Sequence, residues 1–173
     1  TLYQEVHCNK TKEKPATHEA FLKRLHAILP SHCQPIIVTD AGYKSPWFRE
    51  ILALGWDIVG RVRKPHFYSL DSGNTWQCIR HLYDQTTCRP KRFDSSQIVR
   101  SNPFTCTLVL FKQKAKGRYA SNPDGTRKAS KRSKAHAQGA KDPWLLATSL
   151  ISHRHLSKQV VAIYRQRMQI EEG

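Results

Sequence analysis

No two of the five cysteines, Cys8, Cys33, Cys78, Cys88 and Cys106, stand two to four residues apart, so a zinc knuckle is excluded. Their odd number argues against a complete disulfide framework, and free thiols in a reducing cytoplasm are expected. No apolar run approaches the roughly 18–20 residues that cross a bilayer, and no signal peptide is recognisable. A membrane is therefore not expected as a partner. Methionine occurs once, at Met168, and the first residue is Thr1, so the chain reads as a fragment trimmed in front and behind. No G-x-S-x-G nucleophile motif occurs, and "GNTWQ" and "GRVRKP" lack the glycine spacing of a phosphate loop. Histidines are scattered; His153 and His155 could ligate a metal from a strand, but no cysteine or carboxylate partner stands nearby. Acid is scarce: 13 Asp+Glu face 29 Lys+Arg, a net charge of +16. A surplus of that size points to a polyanionic partner, nucleic acid above all.

What is present is the composition of a folded domain. The 173 residues are 39% hydrophobic and 24% charged, which suits one domain or one domain with an insertion. "LYQEVHC", residues 2–8, reads as a weak strand. "HEAFLKRLHAIL" puts Phe21, Leu25 and Ile28 on one helical face, with Thr17 to cap the start and Pro30 to stop it. The run Ile36-Ile37-Val38 suits a strand buried on both faces. It ends at Asp40. "SPWFREILALG" then offers Ser45 as N-cap, Pro46 at the first helical position and Gly55 just past the end. "WDIVGRVR" returns as a strand. Residues 1–63 thus alternate strand and helix, an α/β signature.

From residue 64 the pattern changes. Residues 66–111 hold strand-like runs, a turn at 71–74 and no clear helix, so residues 64–142 are expected to be a β-rich insertion. Its last part, 112–141, carries ten Lys or Arg against one acid, Asp124, and reads as a mobile basic loop. Lys128, Lys131, Arg132 and Lys134 are its candidate DNA-phosphate contacts, giving salt-dependent affinity without sequence readout. "PWLLATSLI" resumes as a strand, and Ser157 can cap a last helix, so residues 143–173 return to the first unit. Trp47 and Trp56 are expected in the core; Trp76 and Trp144 either pack or stack on an extruded base.

On that last helix, Tyr164, Arg167 and Glu171 fall within roughly 60° at about 100° per residue. Such a stripe is a poor core and a good site, unless it is only a half-exposed face with an Arg–Glu pair. Asp40 stands where α/β sheets place ligands, just past a parallel strand, although an aspartate there also starts turns. Two carboxylates on separate elements of a basic chain suggest Mg²⁺ between them, with Mn²⁺ able to substitute.

The stretch "IIVTDAGYKSPWFREILALGWDIVGRVR" resembles the second-aspartate region of bacterial cut-and-paste DDE transposases of the insertion-sequence group. Tyr164-x2-Arg167-x3-Glu171 is similar to the first three members of their Tyr-Arg-Glu-Lys signature. The resemblance implies an RNase H-like mixed sheet with flanking helices and an inserted β-rich subdomain. It implies Asp40 and Glu171 as catalytic, metal-holding acids, and Tyr164 and Arg167 as contacts to the DNA backbone. Double-stranded DNA, at transposon ends and target, is the implied partner, with a homodimer in the full-length complex. A bacterial cytoplasm and its nucleoid are the implied location. No aspartate occurs in residues 1–39, so the first catalytic aspartate is expected upstream and the chain alone is expected to be inactive. Two alternatives stay open: a stand-alone nuclease of the same fold, and a non-catalytic basic nucleic-acid-binding module.

Overall fold

A computed structural model describes residues 3–8, 14–43, 45–63, 66–112, 124–126, 130 and 142–170, without the side chains of 168–170. Eleven elements are defined among them: α1 (Pro15–Ile28), β1 (Ile36–Thr39), α2 (Ser45–Ala53), β2 (Asp57–Val62), β3 (Phe67–Ser69), β4 (Gln77–Cys78), α3 (Arg80–Tyr83), β5 (Lys91–Ile98), β6 (Phe104–Phe111), β7 (Trp144–Thr148) and α4 (Leu156–Ile170). The strands form one mixed sheet in the order β1-β2-β7-β6-β5-β3-β4. Only β1 and β2 are parallel, joined through α2; every other neighbouring pair is antiparallel. This is the α/β architecture of a mixed sheet with flanking helices, consistent with an RNase H-like fold.

Each face of the sheet has its own core. On one face Leu22 of α1, Trp47, Phe48 and Ile51 of α2, and Ile79 and Leu82 pack on Ile58, Leu108, Leu110 and Leu145. On the other, Leu156, Val160, Val161 and Tyr164 of α4 cover Val59, Val109, Trp144 and Leu146. Strand β7 supplies both: Leu145 and Ala147 point one way, Trp144 and Leu146 the other, and all five residues are buried. A central strand covered on both sides must be apolar throughout, which is why "WLLAT" shows no polar alternation. Each fully buried leucine there contributes about 1.5–3 kcal/mol.

Local chemistry sets several boundaries. After α2, Gly55 takes φ 75, its N–H bonds Leu52 O at 2.9 Å and the Trp56 N–H bonds Ile51 O at 3.2 Å. This double closure needs a left-handed residue, which glycine adopts at least cost. The end of β7 is fastened to the start of β2. The Thr148 hydroxyl donates to Ile58 O at 2.8 Å, and the Ser149 hydroxyl donates to Asp57 Oδ1 at 2.7 Å while accepting from Ile58 N–H at 3.0 Å. These bonds turn the chain so that α4 runs back beneath β7.

Gly60 of β2 exists for space. A Cβ there would stand 2.5 Å from Phe48 Cζ, 2.7 Å from Cε1 and 3.1 Å from Thr39 Oγ1. Gly60→Ala is therefore expected to cost about 1–3 kcal/mol by overpacking, read as a lower urea midpoint with an unchanged slope. The 71–75 turn rests on Asp71, whose carboxylate accepts from the Ser69 hydroxyl at 2.6 Å, the Thr75 N–H at 2.9 Å and the Thr75 hydroxyl. These donors, Ser69 first, hold the acid down at about 2. A lowered native pKa stabilises above the ordinary unfolded value and is lost as pH falls through the native one. Asp71→Asn should accordingly reduce the loss of stability between pH 4 and 2 in acid titrations followed by circular dichroism.

Some expectations fail for identifiable reasons. Residues 3–8 form no strand: they pair with no described strand, and Tyr3 instead stacks on Phe21 at 5.3 Å while Arg24 bonds Glu5 at 2.6 Å. Helix α1 begins at Pro15 after Lys14, which makes no side-chain cap, so Thr17 lies inside the first turn. The Ser45 hydroxyl is buried and bonds nothing among the described residues, and α4 starts at Leu156, one residue before the expected Ser157 cap. No clear helix was expected in residues 66–111; within "TWQCIRHLY" only Gln77–Cys78 is strand, and the short helix α3 follows because Ile79 and Leu82, three apart, both enter the core. The basic loop, with Lys128, Lys131, Arg132 and Lys134, lies outside the described residues except for Lys112, 124–126 and Ser130.

Candidate active site

Alternation along β1 decides where Asp40 goes. Ile36 and Val38 pack toward α4, Ile37 toward α1 and α2, and Thr39 faces Phe48 beside Gly60. One residue further, the half-buried Asp40 returns to the α4 face. Strand β2 runs parallel with Thr39 paired to Gly60, so the next residues, Asp40 and Arg61, are lateral neighbours on that face. Arg61 pairs in turn with Leu146 of β7, which carries the α4 core. Helix α4 then lays Tyr164 across them.

Tyr164 is fully buried, with its ring edge-on to Trp144 at 4.8 Å between centroids. Its hydroxyl has no hydrogen-bond partner of ordinary geometry among the described residues, yet the Arg61 guanidinium lies near enough to act on it. Burial raises the Tyr164 phenol, and the Asp40 carboxylate adds to that; the Arg61 and Arg167 cations pull the other way. Asp40, Arg61, Tyr164 and Arg167 thus share one electrostatic neighbourhood. The sequence placed Tyr164 on a stripe ill suited to a core, and here it is corrected: the ring is a central core element, and among the described residues of that stripe Arg167 is the part-exposed one. Trp144 is buried against Phe111 and Tyr164, and Trp47 and Trp56 lie in the core as expected. Trp76 is half-buried beside Gly73 and Gln97.

Arg61 was missed by sequence reading. It is only 9% exposed, and its Nε has no partner among the described residues. The available signal was one charged residue inside the apolar run "DIVGRV". Its charge also reaches Tyr83 of α3, whose hydroxyl burial drives up to about 12, with the Asp142 carboxylate adding to the shift. Asp142 in turn lies 3.7 Å from Arg63.

Topology brings the described residues that flank the basic segment to this same end of the sheet. Strand β6 leaves the sheet at Phe111 and β7 enters it at Trp144, its partner, with Leu145 opposite Val62. Phe111 and Trp144, on either side of residues 112–141, therefore stand at the end of the sheet that carries Asp40. Glu171 lies outside the described residues, as do the four candidate phosphate-binding side chains.

The donor set is compatible with a hard divalent ion. Asp40 is a part-exposed carboxylate that makes no side-chain hydrogen bond or ion pair among the described residues, and a carboxylate oxygen is a donor that Mg²⁺ takes together with water and phosphate oxygens. No group of three His, Cys, Asp or Glu that could hold a metal is found among the described residues. His153 is engaged otherwise: its ring bonds Gln159 at 2.8 Å and accepts from the His155 N–H at 3.2 Å.

Compared with protein families, the transposase DDE domain matches residues 2–173. The chain belongs to that family. No curated protein matches the chain. None of the five cysteines forms a disulfide, Cys106 is buried and Cys8 and Cys88 are exposed, and no described helix is long and apolar enough to cross a membrane.

Proposed function

We propose that this transposase domain belongs to the insertion-sequence group with the Tyr-Arg-Glu-Lys signature and acts on double-stranded DNA at transposon ends and target. The observation that carries the reading is the convergence of Asp40 with Tyr164 and Arg167, from opposite ends of the chain, on one face of the sheet. In this reading Asp40 and Glu171 hold Mg²⁺, or Mn²⁺ in its place, which supplies Lewis acidity at the scissile phosphate. Arg167 grips a backbone phosphate through paired N–H donors, and Tyr164, buried one turn before it, supports that helix face from the core. Water cleaves the phosphodiester to free a 3′-hydroxyl and leave a 5′-phosphate, and that hydroxyl then attacks a target phosphodiester and displaces the target strand's 3′-oxygen, which leaves as a hydroxyl. The protein works in the bacterial cytoplasm, at the nucleoid, and joins two ends as a homodimer in the full-length complex.

Residues 1–63 and 143–173 make up the catalytic unit in this proposal, and 64–142 the insertion. Lys128, Lys131, Arg132 and Lys134 clamp DNA phosphates; the described residues that flank their segment, Phe111 and Trp144, stand at the end of the sheet that carries Asp40, which supports this. No aspartate precedes Asp40, so the 173-residue chain alone should not cut a cognate end with Mg²⁺; cleavage by it would contradict this. Anisotropy titrations with a labelled duplex at several salt concentrations test the clamp. Replacing the four basic residues by Ala should weaken binding and flatten the slope of log affinity against log salt by up to about 3–4. An unchanged slope would remove them from the interface.

A further inference from the structure

A strand built only for stability would not carry Arg61. Its neighbours Ile58, Val59 and Val62 are buried and apolar, and Leu146 opposite it is fully buried. Burying a guanidinium costs several kcal/mol unless its donors are met, and an apolar residue of similar volume is often as stable or more so. Here the Nε donor has no partner among the described residues, and the Tyr164 hydroxyl, which the guanidinium lies near enough to influence, has no hydrogen bond of ordinary geometry there. Two such buried polar groups in one neighbourhood are what packing alone disfavours. They lie beside Asp40, at the end of the sheet where the basic segment leaves and returns.

We propose that Arg61 is a positioning residue: its buried guanidinium sets the buried Tyr164 side chain, and through it the face of α4 that carries Arg167, and provides a fixed positive charge between that hydroxyl and Asp40. The part of this inference that concerns DNA rests on the function proposed above. Arg61 is suited to the task because it is rooted in a central strand, held between β1 and β7, whereas Tyr164 stands on a helix that joins the sheet through side chains alone. A planar, permanently charged fork can orient a hydroxyl without taking or giving a proton. Arg167, half-buried on the next turn of α4, remains for the phosphate.

Two measurements on the 173-residue chain test the inference. In the first, tyrosines are labelled with ¹³C at Cζ and the Tyr164 signal is assigned by its loss in Tyr164→Phe. Arg61→Met should shift that signal, Arg61→Lys should shift it less, and Arg63→Met should leave it in place. An unmoved signal in a folded Arg61→Met protein overturns the proposal; if that variant does not fold, Arg61→Lys decides in the same way. The second is a double-mutant cycle on duplex affinity. Arg61→Met should lose roughly tenfold in affinity, and most of that loss should vanish in the Tyr164→Phe background. Independent, multiplying effects would show that Arg61 does not act through Tyr164. Wild-type chain that binds no duplex at all would sink the DNA reading, while the labelled signal would still decide whether Arg61 holds Tyr164.

Discussion

Tyr164→Ala is expected to destabilise the chain by about 3–5 kcal/mol, whereas Tyr164→Phe should leave stability within about 1 kcal/mol of the parent. The contrast follows from where the two parts of the side chain lie. The ring packs edge-on against Trp144 and closes the α4 core with Leu146, Val160 and Val161. Truncation removes that contact and opens a cavity which β7, fixed by hydrogen bonds on both sides, cannot collapse to fill. The hydroxyl is different, because it is buried without a hydrogen bond of ordinary geometry among the described residues. Deleting it removes a desolvated polar atom and a weak approach from Arg61, two effects of opposite sign. If the hydroxyl sets the α4 face that meets DNA, Tyr164→Phe should be a stable protein with reduced duplex affinity. Urea unfolding and anisotropy on the same two variants separate packing from function. Equal destabilisation by Phe and Ala would contradict the placement of the ring.

Asp40→Ala is expected to lower Mn²⁺ affinity by roughly tenfold or more, since even residues behind a metal ligand contribute on that scale. Its effect on DNA should have the opposite sign. Without divalent metal, a carboxylate beside the phosphate contacts repels the backbone, so Asp40→Asn should bind duplex in EDTA as tightly as the parent or slightly more so, by up to about 1 kcal/mol. A carboxylate that merely shaped the 40–43 turn would give neither result: its loss would reduce stability and leave both titrations alone. That turn is in any case closed by a backbone bond, the Tyr43 N–H to Asp40 O at 3.4 Å.

The framework of the fold was legible where one physical signal dominated. Strands β1, β6 and β7 announced themselves as apolar runs because both their faces are covered, and α2 did so through Pro46 and Gly55, the latter indeed in the left-handed conformation. Strand β5 was not singled out. Its sequence, "KRFDSSQI", is mostly water-facing, has a register shift between Phe93 and Ser96, and owes its strand state to pairing with β6. Residues 3–8 had β-forming side chains but no neighbour to pair with among the described strands. The site was half legible. Asp40 and the Tyr164–Arg167 pair were named from position and spacing, but their proximity depends on β7 turning α4 back across β1 and β2, a long-range consequence of Ser149 and Thr148 bonding Asp57 and Ile58. Arg61 has no spacing rule at all; it becomes meaningful only once Tyr164 lies over it.

The central claim is that Asp40 and Glu171 share a divalent cation, and electron paramagnetic resonance of Mn²⁺ titrated into the chain tests it most directly. The account predicts one class of bound Mn²⁺ in the parent that is strongly weakened by Asp40→Ala and, separately, by Glu171→Ala, with both variants folded. Bound Mn²⁺ that is undiminished in either folded variant would contradict it.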